Sequence, residues 1–156
     1  MNLVDANVLL YAVNESVDKH EESRSWLDDA LNGRSTVGLS WIVLLAFLRL
    51  STKAGLFPSP LGVDGALARV RDWVAQPPSV IVEPTSRHLD VLAGLLATTG
   101  TGGNLVNDAH LAALAVEHDA TVITYDSDFG RFAGVRWQPP ATPGDPQDHA
   151  GGGNDR

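Results

Sequence analysis

The chain has no cysteine, only two lysines, one methionine and no long apolar run. Each scarcity narrows the field. Without cysteine there are no disulfides, no thiolate metal sites and no sulfur nucleophile, which fits a reducing compartment. The longest apolar stretch, Trp41 to Leu48, falls far short of the ~20 residues a membrane span needs. The start, Met1-Asn2-Leu3-Val4-Asp5, has no basic leader, so a cytoplasmic location and no membrane association are expected. Positive charge is scarce as well: 11 basic against 19 acidic residues give a net charge of −8. That balance argues against the basic footprint of a typical nucleic-acid binder.

What remains is a chain of 156 residues, 44% hydrophobic, long enough for one domain with a substantial core. The body runs to about Gln138. Beyond it come Pro139, Pro140, Pro143, Pro146 and a Gly151-Gly152-Gly153 run with almost no apolar residue. Such a composition cannot bury a core, and 139–156 is expected to be a disordered tail.

Short β signals alternate with helical periods along the body. Strands are expected at Asn2 to Val4, Ser35 to Leu39, Val80 to Val82, Thr121 to Thr124 and Val135 to Trp137. Helices are expected at Asn7 to Val13, His20 to Leu31, Trp41 to Thr52, Asp64 to Ala75, Thr85 to Leu96 and Asn107 to His118. Ser40 suits the N-cap of the third helix, whose near-continuous apolar face predicts deep burial. Gly55, Pro58, Pro60 and Gly62 mark a loop, and Gly100-Thr101-Gly102-Gly103 another. The alternation predicts an α/β fold with a mostly parallel sheet and helices on its faces.

In such sheets function gathers beyond the carboxyl ends of the strands. Asp5 follows the first strand, Asp126 and Asp128 follow the Thr121–Thr124 strand, and Asp108 opens a helix. Brought together, these carboxylates would repel one another unless a cation intervened. Oxygen ligands suit Mg²⁺ or Mn²⁺, which serve phosphodiester hydrolysis by activating water and neutralising phosphate charge. Each acid also has an ordinary use: Asp5 as a helix cap, Asp108 against the helix dipole, Asp126-Ser127-Asp128 as a turn. His20, His88, His110, His118 and His149 show no metal-binding spacing, and His110 and His118 are expected at the surface. No nucleophile elbow or phosphate-binding glycine loop with lysine is present.

Three segments carry a resemblance. Asp5-Ala6-Asn7-Val8-Leu9-Leu10-Tyr11-Ala12 resembles the opening of PIN-domain nucleases. Gly103-Asn104-Leu105-Val106-Asn107-Asp108-Ala109-His110-Leu111-Ala112 resembles their central acidic helix, and Thr124-Tyr125-Asp126-Ser127-Asp128-Phe129 their late acidic turn. Together they resemble VapC-type toxins of toxin–antitoxin pairs. The resemblance implies a PIN-like three-layer fold over 1–138 and a Mg²⁺-dependent endoribonuclease, with Mn²⁺ as the other suitable ion. It implies an RNA substrate, a VapB-type antitoxin as partner, and a homodimer. By position, Asp5, Asp108, Asp126 and Asp128 would be catalytic, the first three as metal ligands. Asn7 and Thr124 would orient the carboxylates, and Arg49 would contact RNA phosphate or pair with an acid. In one respect the chain departs from that family. Ala46 stands three residues before Arg49, where the family carries a glutamate. Two other readings stay open: a PIN module that binds RNA or antitoxin with weakened catalysis, and a phosphatase with Asp5 as nucleophile.

Overall fold

The computed structural model describes residues 1–100, 102–103 and 105–141. The tail expected at 139–156 thus lies outside the described residues from 142 onward, as do Thr101 and Asn104 of the glycine-rich loop. The strands are β1 (Asn2–Val4), β2 (Val37–Leu39), β3 (Ser79–Ile81), β4 (Thr121–Ile123) and β5 (Trp137–Gln138). The helices are α1 (Ala6–Val13), α2 (His20–Asn32), α3 (Trp41–Ser51), α4 (Val63–Val74), α5 (His88–Thr99) and α6 (Leu105–Glu117), with a short 3-10 helix over Ser127–Arg131. Every expected strand and helix is present, with ends displaced by at most three residues. The 3-10 turn replaces the plain turn expected at Asp126 to Asp128.

All strand pairings are parallel, in the order β3-β2-β1-β4-β5. The chain therefore builds outward from β1 to β2 and β3, then returns to pair β4 with the other side of β1. By the right-handed rule for parallel crossovers, this order puts α1 to α4 over one face of the sheet and α5 and α6 over the other. The order reverses between β1 and β4, and a crevice opens there beyond their carboxyl ends. Strands this short are held by burial rather than by length. Leu3, Val4, Val37, Leu39, Val122 and Ile123 are fully buried, as expected for a sheet covered on both faces. Gly38 sits where β2 passes closest to its neighbours: a Cβ there would meet Val82 Cγ2 at 2.9 Å and Leu3 Cδ1 at 3.1 Å.

The core continues into the helices. Val8 and Leu9 of α1, Leu44 and Phe47 of α3, and Ala112, Ala113 and Leu114 of α6 are shut off from solvent. The run of alanines lets α6 lie close to the sheet, which fixes the position of Asp108 at its start. Two expectations for α3 need correction. Trp41 and Leu45 are about half exposed, at 50% and 58%, so one stripe of the helix faces outward and only the Val43, Leu44, Phe47 face is deep. Ser40 has the extended backbone of a cap but makes no capping bond, and its buried hydroxyl has no partner among the described residues. Among the described residues no helix is long and apolar enough to cross a membrane.

Candidate active site

Asp5 leaves β1 at its carboxyl end and starts α1. Its Oδ1 accepts from the Ala6 amide at 2.6 Å, so the capping role and the site role fall on one side chain. Its Oδ2 accepts from the Thr124 hydroxyl at 2.7 Å and from Asn7 Nδ2 at 2.9 Å. Thr124, fully buried just beyond β4, accepts in turn from Asn7 Nδ2 and from the Asp126 amide, each at 3.0 Å. Asn7 Oδ1 takes the Tyr125 amide at 3.2 Å. No donor or acceptor in this set is asked for more bonds than it can make: Asn7 Nδ2 donates two, the Thr124 hydroxyl donates one and accepts two, and Asp5 Oδ2 accepts two, so the ends of β1 and β4 are locked across the switch point. Asn7 and Thr124 thus both bond the Asp5 carboxylate.

Asp108 approaches from the first turn of α6 and shares a cavity of about 170 Å³ with Asp5. Asn107 stands at its edge, and Ile42, Val43, Ala46 and Leu111 form an apolar wall. Position 46 therefore faces the carboxylates, and alanine leaves room there. Burial, and then the charges of Asp5, Asp126 and Asp128, push the Asp108 carboxyl up to about 6. Asp5 is also raised, by burial first, with the Thr124, Ala6 and Asn7 bonds pulling the other way. All four acids are thus within electrostatic reach of one another. Asp126 caps the 3-10 helix through Oδ1, which accepts the Asp128 amide at 2.8 Å. Asp128 is exposed at the rim.

Mutual repulsion that makes a carboxyl hold its proton is what a divalent cation would relieve, and an all-oxygen donor set suits Mg²⁺ or Mn²⁺. Among the described residues no three acidic or histidine side chains stand close enough to ligate one ion together. The chemistry fits an ion that keeps several waters and uses one or two protein carboxylates.

Arg49 is exposed on α3, and among the described residues its guanidinium pairs with no acid. The ion-pair alternative for Arg49 is thereby set aside.

One cluster escaped sequence reasoning. His88 Nδ1 meets Glu117 Oε2 at 2.6 Å, and His88 Nε2 meets His110 Nδ1 at 2.8 Å. Glu117 Oε1 accepts the amide and hydroxyl of Thr85, and its side chain is 1% exposed. His110 is a member of this network rather than a surface residue, and His118 Nε2 bonds the Glu83 carbonyl at 2.8 Å. The one available signal was the seven-residue spacing of His110 and Glu117, which puts them on the same face of α6.

The PIN domain family matches residues 3–135. Ribonuclease VapC37 of Mycobacterium tuberculosis is 62% identical over 142 residues, covering 90% of this chain and 99% of that protein. Ribonuclease VapC33 of the same organism is 39% identical, over 90% of this chain and 98% of that one. The crystal structure of VapBC2 from Rickettsia felis bound to a promoter DNA fragment superposes with a TM-score of 0.63. It is 19% identical and covers 88% of this chain and 97% of that chain.

Proposed function

This chain belongs to the PIN-domain family, among its VapC ribonucleases, and on that premise we propose that it is the toxin of a toxin–antitoxin pair, hydrolysing RNA phosphodiesters in the Asp5–Asp108 crevice. One observation supports the site above others. Asp108, half-buried and within reach of the charges of Asp5, Asp126 and Asp128, is pushed up to about 6, by burial first and then by those three acids.

Asp5 and Asp108 would hold one divalent cation, Mg²⁺ or in its place Mn²⁺, with Asp126 facing it directly or through water. When bound, that ion supplies positive charge to the scissile phosphate and lowers the pKa of an attacking water. The chain's own residues do the rest. Asn7 and Thr124 fix which lone pair Asp5 presents, since three of its acceptor positions are already engaged. Among the described residues Asp126 Oδ2 makes no hydrogen bond while Oδ1 is tied to the 3-10 helix, which supports a role for Oδ2 in taking the proton of the water. Asp128, at the rim, orients that water. Arg49, exposed and unpaired, meets a phosphate of the RNA strand.

The VapC relatives and the likeness to VapBC2 support a VapB-type antitoxin as partner. Purified protein should cleave RNA with Mg²⁺ and stop when the ion is chelated. Asp5→Asn and Asp108→Asn should each lose cleavage while keeping the fold by circular dichroism. Full cleavage by either variant would refute the assignment.

A further inference from the structure

Lys19 stands where a lysine is locally unfavourable. It is the residue that opens α2, and its side chain makes no capping bond there. A helix favours negative charge at this end and a short oxygen-bearing side chain at this position, so a lysine works against both. Its pair with Glu22, Nζ to Oε2 at 2.9 Å, is an exposed contact within one helical turn and offsets little. A residue that breaks a local rule without a structural return points to function. The ammonium is also held in place. It lies over the ring of Tyr125, 5.4 Å from the centroid. That tyrosine is fixed from three sides. Its hydroxyl meets the buried Ser23 hydroxyl at 2.8 Å, its ring packs on Tyr11 at 5.5 Å between centroids, and its amide donates to Asn7 Oδ1. Asn7 is the same side chain that bonds Asp5, and Tyr125 directly precedes Asp126.

The platform under Lys19 is therefore built into the same β4 end as the acids. One of the three ammonium donors meets Glu22, and the other two have no partner among the described residues. Arg49 lies on α3, which follows β2, on the other side of β1. In a chain of net charge −8, exposed cations near the acids are where a strand of phosphates can be gripped. We infer that Lys19 binds an RNA phosphate flanking the one at the acids, so that the strand is held from the β4 side by Lys19 and from the β2 side by Arg49. The inference rests on the ribonuclease reading and adds to it a substrate-binding residue that takes no part in breaking the bond. The group recognised is a phosphate and not a base, so the contact gives affinity and position without sequence preference.

The test uses the full chain and a short mixed-sequence single-stranded RNA. In steady-state cleavage with Mg²⁺, Lys19→Ala should raise KM severalfold with kcat nearly unchanged, and Lys19→Arg should restore KM. Arg136→Ala removes the same charge before the amino end of β4, where Arg136 meets Asp119 at 2.7 Å, and should leave KM as it is. Binding is read by fluorescence anisotropy in the Asp108→Asn background, where cutting is blocked. There Lys19→Ala should lower the slope of log affinity against log salt by about 0.7, one single-strand phosphate contact. Amine-selective labelling in the same background, read by mass spectrometry, should show Lys19 shielded by RNA with no change made at Lys19 itself. Unmoved KM and salt slope in Lys19→Ala, equal losses in Lys19→Ala and Arg136→Ala, or Lys19 labelled alike with and without RNA overturns the inference. The two readings separate cleanly. Lys19 shielded by RNA that the unaltered chain leaves uncut overturns the ribonuclease reading alone, and RNA cut with Lys19 unshielded overturns this inference alone.

Discussion

The Thr124 hydroxyl donates to Asp5 Oδ2 at 2.7 Å, joining the end of β4 to the end of β1. The two residues are 119 positions apart, and their bond spans the one place where the strand order reverses. Around it the Asn7 side chain and the Asp126 amide use the remaining capacity of the same hydroxyl. Replacing Thr124 by valine keeps the shape and deletes this junction. The expected cost is about 1–3 kcal/mol in chemical denaturation, because buried partners are left unpaired. RNA cleavage should fall with it, since Asp5 loses a bond that favours its charged form. Thr124→Ser should recover most of both.

Asp108 sets a pH dependence whose sign is opposite to that of a paired acid. Burial, followed by Asp5, Asp126 and Asp128, holds its carboxyl at about 6, above the ordinary 3.8. The folded chain then binds the proton more tightly than the unfolded chain. Metal-free stability should fall as pH rises from about 4 to about 6 and level off above. Thermal melts of Asp108→Asn should show a shallower slope, the raised Asp5 carboxyl retaining its share, and lie above those of the unaltered chain at pH 7. Mg²⁺ should raise the melting temperature of the unaltered chain at pH 7 and leave it unchanged at pH 5.

The Glu117 carboxyl behaves in the ordinary direction. Burial alone would raise it, but the bonds from His88 and Thr85 carry it below its usual value. Its contribution is present above the unfolded pKa and is lost as pH falls through the folded one. Glu117→Ala strands His88 and Thr85 and should cost about 1–3 kcal/mol in denaturant, whereas Glu117→Gln should cost less. Neither should change the metal dependence of cleavage, because Glu117 lies at the far end of α6 from Asp108.

Arg49 is expected to act on substrate and leave the fold alone. Its guanidinium is exposed and has no acidic partner among the described residues. Arg49→Ala should leave the melting temperature within a degree or so, as for other exposed sites. It should weaken RNA binding and reduce the steepness of its salt dependence by about one phosphate contact, read from anisotropy at several salt concentrations.

The sequence showed the site better than it showed the surroundings. Asp5, Asp126 and Asp108 were legible because acids directly after strands, or at the start of an apolar helix, converge wherever a parallel sheet reverses its order. Asn7 and Thr124 came with them through the motifs they share. The outward stripe of α3 was not legible, because an almost wholly apolar helix has no periodicity to show which face is turned to solvent. The His88, His110 and Glu117 contacts depend on the packing of α5 against α6, which local patterning does not encode. The unmade cap at Ser40 is similar: its residue type and backbone suit a cap, and only the placement of the hydroxyl shows that none forms.

The central claim is that Asp5 and Asp108 carry metal-dependent RNA cleavage. Its most direct measurement is induced expression of the chain in cells, with cellular RNA 5′ ends mapped beside those from Asp5→Ala expressed at equal level. New, discrete 5′ ends and growth arrest are expected with the unaltered chain, and neither with Asp5→Ala. The same new ends in both samples would contradict it.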